Sequence, residues 1–308
     1  MSAVRRAADE YLQMRRALGY KLETQGWLLR RFVDYLEETG AETITIEHAV
    51  AWATQPANAD AAYWSNRLSA VRQFARYLQT IDPACEVPPA RLLPYRPQRA
   101  IPYLYKPEEI TTLMHAAGGL SRPLQAATYQ TLIGLLAVSG LRVGEAIRLN
   151  RSDVNAGDRL VRVINTKFGK SREVALQDSA IDALGAYGRL RDRLCPQPRC
   201  EAFFVSTAGT RLHAANINRT FSQLVHTVGL RPRSRRCRPR VHDLRHGLAV
   251  NTLLDWYRDD CDVQARLPRL STYMGHTEPS STFWYLTATP ELLALAAERL
   301  DPIVKGLA

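Results

Sequence analysis

Residues 270–285 read Leu270-Ser-Thr-Tyr-Met-Gly-His276-Thr-Glu-Pro-Ser-Ser-Thr-Phe-Trp-Tyr285. Gly275-His276 ends a helix, since glycine tolerates the left-handed conformation that closes one. Tyr285 follows nine residues after His276, on what reads as the next helix. Beside Phe283, Trp284 and Leu286, its ordinary reading is an aromatic core residue. Taken singly, that reading stands. Only partners elsewhere in the chain change it.

Upstream, the loop Arg231-Pro-Arg-Ser-Arg-Arg-Cys-Arg-Pro-Arg240 holds six arginines in ten positions. It leads directly into His242-Asp243-Leu244-Arg245-His246. A basic run is usually a solvated segment. Here it abuts a His-x-x-Arg pair that one helical turn places on a single face. A metal held by His242 and His246 is the rival reading. It lacks the glutamate after the first histidine that a zinc hydrolase shows, and Arg245 would repel a cation.

Further upstream, residues 159–176 alternate as a β-hairpin, with KFGKS as its turn. Only five residues of the chain are lysine, and two of them, Lys167 and Lys170, stand in this turn. Lysine can give up a proton within a tunable range, as a general acid must, whereas arginine effectively cannot. Ser139-Gly140-Leu141-Arg142-Val143-Gly144-Glu145 comes first in the chain. Glu145 shares a helix face with Arg142, and a structural ion pair at a helix start is the simplest reading.

Around these motifs, the first 80 residues read as helices. They cover about 4–18, a stretch capped by Thr24 and stopping at Gly40, about 47–54, and about 60–79. The last has Trp64, Leu68, Val71, Phe74 and Leu78 on one stripe. Arg67, Arg72 and Arg76 lie on the opposite face, as a solvated surface or as DNA contacts. Six prolines between Pro83 and Pro102 interrupt regular structure and mark a linker, with a boundary near residue 98. Helices follow at 106–117, 121–138 and 142–149, then the hairpin, a short strand at 202–206 and further helix. The expected architecture is mainly α with a small antiparallel β-sheet, in two domains, 1–97 and 98–308.

The net charge of +11 favours a polyanionic partner, because neutralising phosphates releases counterions. No apolar run reaches the ~20 residues that span a bilayer, and the N-terminus has no secretory pattern. A cytoplasmic protein without a membrane partner is the expectation. Five cysteines, among them Cys195 and Cys200 around PQPR, suggest neither a disulfide framework nor a zinc site.

The order of Arg, lysine hairpin, His-x-x-Arg, Gly-His and Tyr resembles the tyrosine recombinase (phage integrase) family of Xer/Cre-type site-specific recombinases. The resemblance rests on the SGLRVGE, TKFGK, HDLRH and MGH strings and the tyrosine that follows them. It implies a C-shaped DNA clamp. A helical, SAM-like core-binding domain would precede an α+β catalytic domain of the DNA breaking–rejoining fold. By position, Arg142 and Arg245 would clamp the scissile phosphate and Lys167 would protonate the departing 5′-hydroxyl. His242 would assist proton transfer or hold the phosphate, and His276 would donate a hydrogen bond to it. Tyr285 would form a 3′-phosphotyrosyl link, with Glu145 ordering the site.

The resemblance further implies a reaction without metal, ATP or other cofactor. Strands would be exchanged through a Holliday junction by a dimer or tetramer on double-stranded DNA with a specific site. Lys170, Arg172, Arg233, Arg235, Arg236, Arg238 and Arg240 are expected DNA contacts. The amphipathic helix within 290–308 would dock on a neighbouring subunit or pack in cis. The long, polar stretch between Arg245 and His276 departs from the family's usual connection, whereas a histidine at His246, directly after the His-x-x-Arg unit, is common in relatives. Integration, excision or transposition of a mobile element is the expected role. Xer-like dimer resolution, a monomeric type IB topoisomerase and an inactive architectural protein are the alternatives.

Overall fold

The computed structural model describes residues 2–93, 100–164, 171–276, 278, 280–287 and 289–305, with side chains to residue 299. The chain is mainly helical with one small antiparallel sheet, and it divides into two compact units between Arg99 and Ala100.

The first unit packs α1 (Ala3–Ala17), α2 (Glu23–Glu38), α3 (Ile46–Thr54) and α4 (Ala61–Leu78) around Leu12, Phe32, Trp52 and Phe74. Side chains start three of these helices: Ser2, Thr45 and Asp60 each accept from a first-turn amide. The second starts differently from expectation. Thr24 lies inside α2, and the cap is Leu22, whose left-handed backbone makes no side-chain cap bond.

The second unit begins with α5 (Pro107–Gly118) and α6 (Pro123–Ser139). Residues of α6 are apolar on all sides, which suits a helix surrounded by others. It packs against α5, α8 (Asp178–Leu194) and α10 (Asp243–Arg258). α7 (Val143–Arg148) follows. β1 (Val154–Asn155), β2 (Leu160–Val163) and β3 (Arg172–Ala175) then form the sheet in chain order. In β2 and β3, Val161 pairs with Val174, and both are buried. The third strand is β1, not the expected 202–206. That segment makes only isolated bridges, Asn150 with Ala202 and Val205 with Arg211. Phe203, Phe204 and Val205 are consecutive and buried, so the segment does not alternate as a half-buried strand would.

After α9 (Ala214–Thr227) and α10 come α11 (Val263–Met274), α12 (Ser280–Phe283), a 3₁₀ turn at Trp284–Thr287 and α13 (Pro290–Lys305). α13 packs in cis on α10, with Leu292 buried and Arg258 Nη2 2.5 Å from Glu291 Oε1. Among the described residues no helix is long and apolar enough to cross a membrane.

Candidate active site

Two glycines in the left-handed region shape the site. Gly140 closes α6 at φ +61°, where a Cβ would stand 2.7 Å from Met274 Sδ. Gly275 closes α11 at φ +67°, where a Cβ would stand 2.6 Å from the Arg172 guanidinium. At either position a side chain would strain the backbone and displace Met274 or Arg172. The carbonyls at these turns receive arginines. Arg245 donates through Nη1 to Gly140 O and through Nη2 to Met274 O, at 2.6 Å for the latter. Arg142 donates from Nη2 to Gly275 O at 3.0 Å.

Glu145 holds the other side of the frame. Its carboxylate accepts from Arg142 Nη1 at 2.7 Å, from the Arg142 amide at 3.0 Å and from Arg172 Nη2 at 2.9 Å. Arg172 also donates from Nε to Tyr273 O at 3.1 Å. Burial by itself would push the Glu145 carboxyl up. The bonds from Arg172 and Arg142 overcome it and hold the group at about 2. Burial, then the charge of Arg142, brings Arg245 down to about 10, still cationic at neutral pH.

Two histidines flank this charge. His242 caps α10 and is exposed, yet the protein packed around its ring, then Arg245, Arg142 and Arg240, pull it down to about 4. His276 is half-buried and falls to about 4 through burial, then Arg245 and Arg142. Both are neutral at pH 7. His276 Nδ1 lies 2.6 Å from Thr282 Oγ1. If Thr282 donates there, His276 carries its proton on Nε2.

Tyr285 sits on the 3₁₀ turn after α12 and is only 2% exposed. Its ring stacks on His276 at 6.0 Å between centroids, and its hydroxyl lies 3.1 Å from His246 Nδ1. One cluster therefore gathers two backbone-anchored arginines, three histidines and a phenol, a set that can hold an anion beside a nucleophile. Among the described residues no three His, Cys, Asp or Glu groups come together as a metal site.

The profile of the Phage integrase family matches residues 104–291, which includes every one of these side chains. The chain belongs to the phage integrase family. It is 44% identical over 310 residues to "Putative integrase/recombinase y4rB" of Sinorhizobium fredii, covering 98% of both chains. It is 29% identical to "Tyrosine recombinase XerC" of Pelotomaculum thermopropionicum over 80% of this chain and 76% of the other. In fold it is similar to the Tn1549 transposon integrase solved in complex with transposon right end DNA. The TM-score is 0.63 at 16% identity, over 96% and 99% of the two chains.

Within this integrase fold, Arg142, Glu145, His242, Arg245, His276 and Tyr285 come together, as the resemblance implied. Lys167 and Lys170 lie outside the described residues. Two expected DNA contacts are corrected. Arg67 is 5% exposed, donates to Trp52 O at 2.5 Å and lies over the Trp52 ring at 3.7 Å, so it is part of the α3–α4 packing. Arg172 is engaged with Glu145 and Tyr273 and braces the site from β3. Arg72 is half-buried and donates to Pro88 O and Pro89 O, while Arg76 is exposed.

In the arginine loop, Arg235, Arg236 and Arg238 are exposed, and Arg240 pairs with Asp243 at 2.8 Å. Arg233 donates to Leu104 O and lies over the Tyr103 ring. Sequence reasoning set His246 on one helix face with His242 only as a rival metal pair and gave it no place beside Tyr285, and it missed Thr282. For Thr282 the sequence carried no signal.

Proposed function

We propose that this integrase-family chain cleaves and rejoins double-stranded DNA at a specific site through a 3′-phosphotyrosyl link on Tyr285. The observation that carries the reading is the pairing of Tyr285, stacked on His276, with Arg142 and Arg245. These arginines are anchored on the carbonyls of Gly275 and Met274, immediately before that histidine. Guanidinium groups held in this way suit the charge that builds on the non-bridging oxygens. Tyr285 attacks the phosphorus in line, and the 5′-oxygen leaves with a proton from Lys167. His276 donates from Nε2 to the phosphate, and His242 holds the phosphate or assists proton transfer. Positive side chains take the place of a metal ion. The phosphotyrosyl link keeps the phosphodiester energy, so ATP is not required.

Residues 1–97, within the first unit, serve as the core-binding domain, and residues 98–308 as the catalytic domain. Arg233, Arg235, Arg236, Arg238 and Arg240, with Lys170, Arg72 and Arg76, contact DNA. The protein acts in the cytoplasm as a dimer to tetramer on DNA, exchanging strands through a Holliday junction. The role is integration, excision or transposition of a mobile element. The 44% identity with a protein named as an integrase/recombinase, against 29% with XerC, supports this over the second reading, Xer-like dimer resolution.

The test is capture of a covalent adduct on a nicked suicide substrate, followed by sequencing of the trapped DNA. Wild type forms the adduct and Tyr285→Phe does not. An adduct on the Phe variant overturns the nucleophile. No adduct from wild type favours an architectural protein, and chromosomal dimer-resolution sites in the trapped DNA favour the second reading.

A further inference from the structure

We infer that His246 is the proton acceptor that activates Tyr285, an inference that rests on the proposed phosphotyrosyl chemistry. A phenol attacks phosphorus only as its proton departs. Tyr285 is 2% exposed, so bulk water has little access to its hydroxyl. In contact with that hydroxyl is His246 Nδ1, at 3.1 Å, within reach for direct transfer.

The imidazole is held in that position from two directions. Its ring meets Trp284 edge-on at 5.3 Å and His242 edge-on at 4.7 Å between centroids. His246 also follows Arg245 directly in α10, so one turn of helix supplies both a phosphate clamp and the acceptor. Arg245 is close enough to Tyr285 for their charges to interact. His276, which stacks on Tyr285, has its Nδ1 committed to Thr282.

The step balances. With the His246 proton on Nε2, the tautomer this step requires, the Oη–H bond of Tyr285 breaks as Nδ1–H forms on His246. The Oη–P bond forms as the P–O5′ bond breaks, and the 5′-oxygen takes its proton from the general acid. On rejoining, His246 returns its proton to Tyr285.

The experiment measures adduct formation by the full chain on two suicide duplexes. One has the natural 5′-oxygen at the scissile bond. The other has a bridging 5′-sulfur, which leaves without protonation. His246→Asn keeps an acceptor atom near the Nδ1 position but cannot take up the proton. His246→Ala removes both, and thermal melts confirm that each variant is folded. Both variants are expected to cleave about a hundredfold more slowly on both duplexes, while Lys167→Ala recovers on the sulfur duplex. In His246→Asn the rate should rise about tenfold per pH unit above neutrality, as hydroxide replaces the lost base. Wild type should level off.

Wild-type cleavage by His246→Asn would reduce the residue to positioning and overturn the inference. So would recovery of the variants on the sulfur duplex. An adduct on Tyr285→Phe would instead overturn the underlying chemistry, which keeps the two failures distinct.

Discussion

Arg245 is buried with its terminal nitrogens on the carbonyls of Gly140 and Met274, whereas Arg235, ten residues earlier, stands exposed on the 231–240 loop. Both carry the same charge, and both precede or open the same helix. The first has lost its freedom to two backbone acceptors, so its charge is aimed at one place. The second keeps its rotamers and contributes to a diffuse positive field. Arg67 is a third case, buried like Arg245 but occupied by Trp52, so that its charge is aimed at no ligand. Counting arginines does not separate these roles. Their acceptors do.

The hardest blow to the anchored frame is Glu145→Ala, which leaves Arg172 and Arg142 without their shared carboxylate. The loss should be about 3–5 kcal/mol of stability, read as a lowered denaturant midpoint at unchanged slope. A midpoint like wild type would show that the backbone carbonyls alone hold the arginines. Arg245→Lys tests the aiming itself. An ammonium cannot bridge Gly140 O and Met274 O as a planar fork does. Cleavage should fall by about 10²–10³-fold with the fold intact by circular dichroism. Comparable activity in the lysine variant would mean that charge alone suffices.

The pH response of stability separates the framed site from the loop. His242 and His276 lie at about 4 in the folded chain against an ordinary 6.5, so the unfolded chain binds protons first as pH falls. Stability should therefore decline between about pH 6.5 and about 4. Glu145 lies at about 2 against an ordinary 4.5, so its contribution is present above about 4.5 and lost as pH falls through about 2. Melting temperatures across this range, with a His242→Gln/His276→Gln double variant, provide the check. A double variant with an undiminished slope between pH 6.5 and 4 would assign that slope to other groups.

The smallest effect is expected on the loop. Replacing Arg235, Arg236 and Arg238 with glutamine should change stability by no more than about 0.5 kcal/mol. It should weaken DNA binding and flatten its salt dependence by about 0.9 in the log–log slope for each phosphate no longer neutralised. Arg67→Ala should do the opposite, costing stability while leaving that slope unchanged. Titrations at several salt concentrations distinguish the two.

The hairpin was legible because β2 and β3 alternate, and the start of α7 was legible because Glu145 stands three residues after Arg142. Residues 202–206 misled for the same physical reason. Three consecutive buried aromatic and aliphatic side chains resemble a strand, but periodicity cannot say whether a partner strand exists to pair with them. Arg67 misled because an arginine on an otherwise polar helix face is normally solvated. Only the packing of α3 against α4 brings Trp52 beneath it.

Order and spacing along the chain carried the family resemblance that assembled Arg142, Glu145, His242, Arg245, His276 and Tyr285 as one candidate site. Local rules of helix capping and glycine conformation placed Gly140 and Gly275 at helix ends. The tertiary structure alone decided which atoms those residues touch. Hydrogen bonds such as Arg245 to Gly140 O or His246 to Tyr285 join positions far apart in sequence, and no local propensity encodes them. For Tyr285 this decided its surroundings. Spacing after His276 marked it as more than a core aromatic, and the fold set its hydroxyl beside His246.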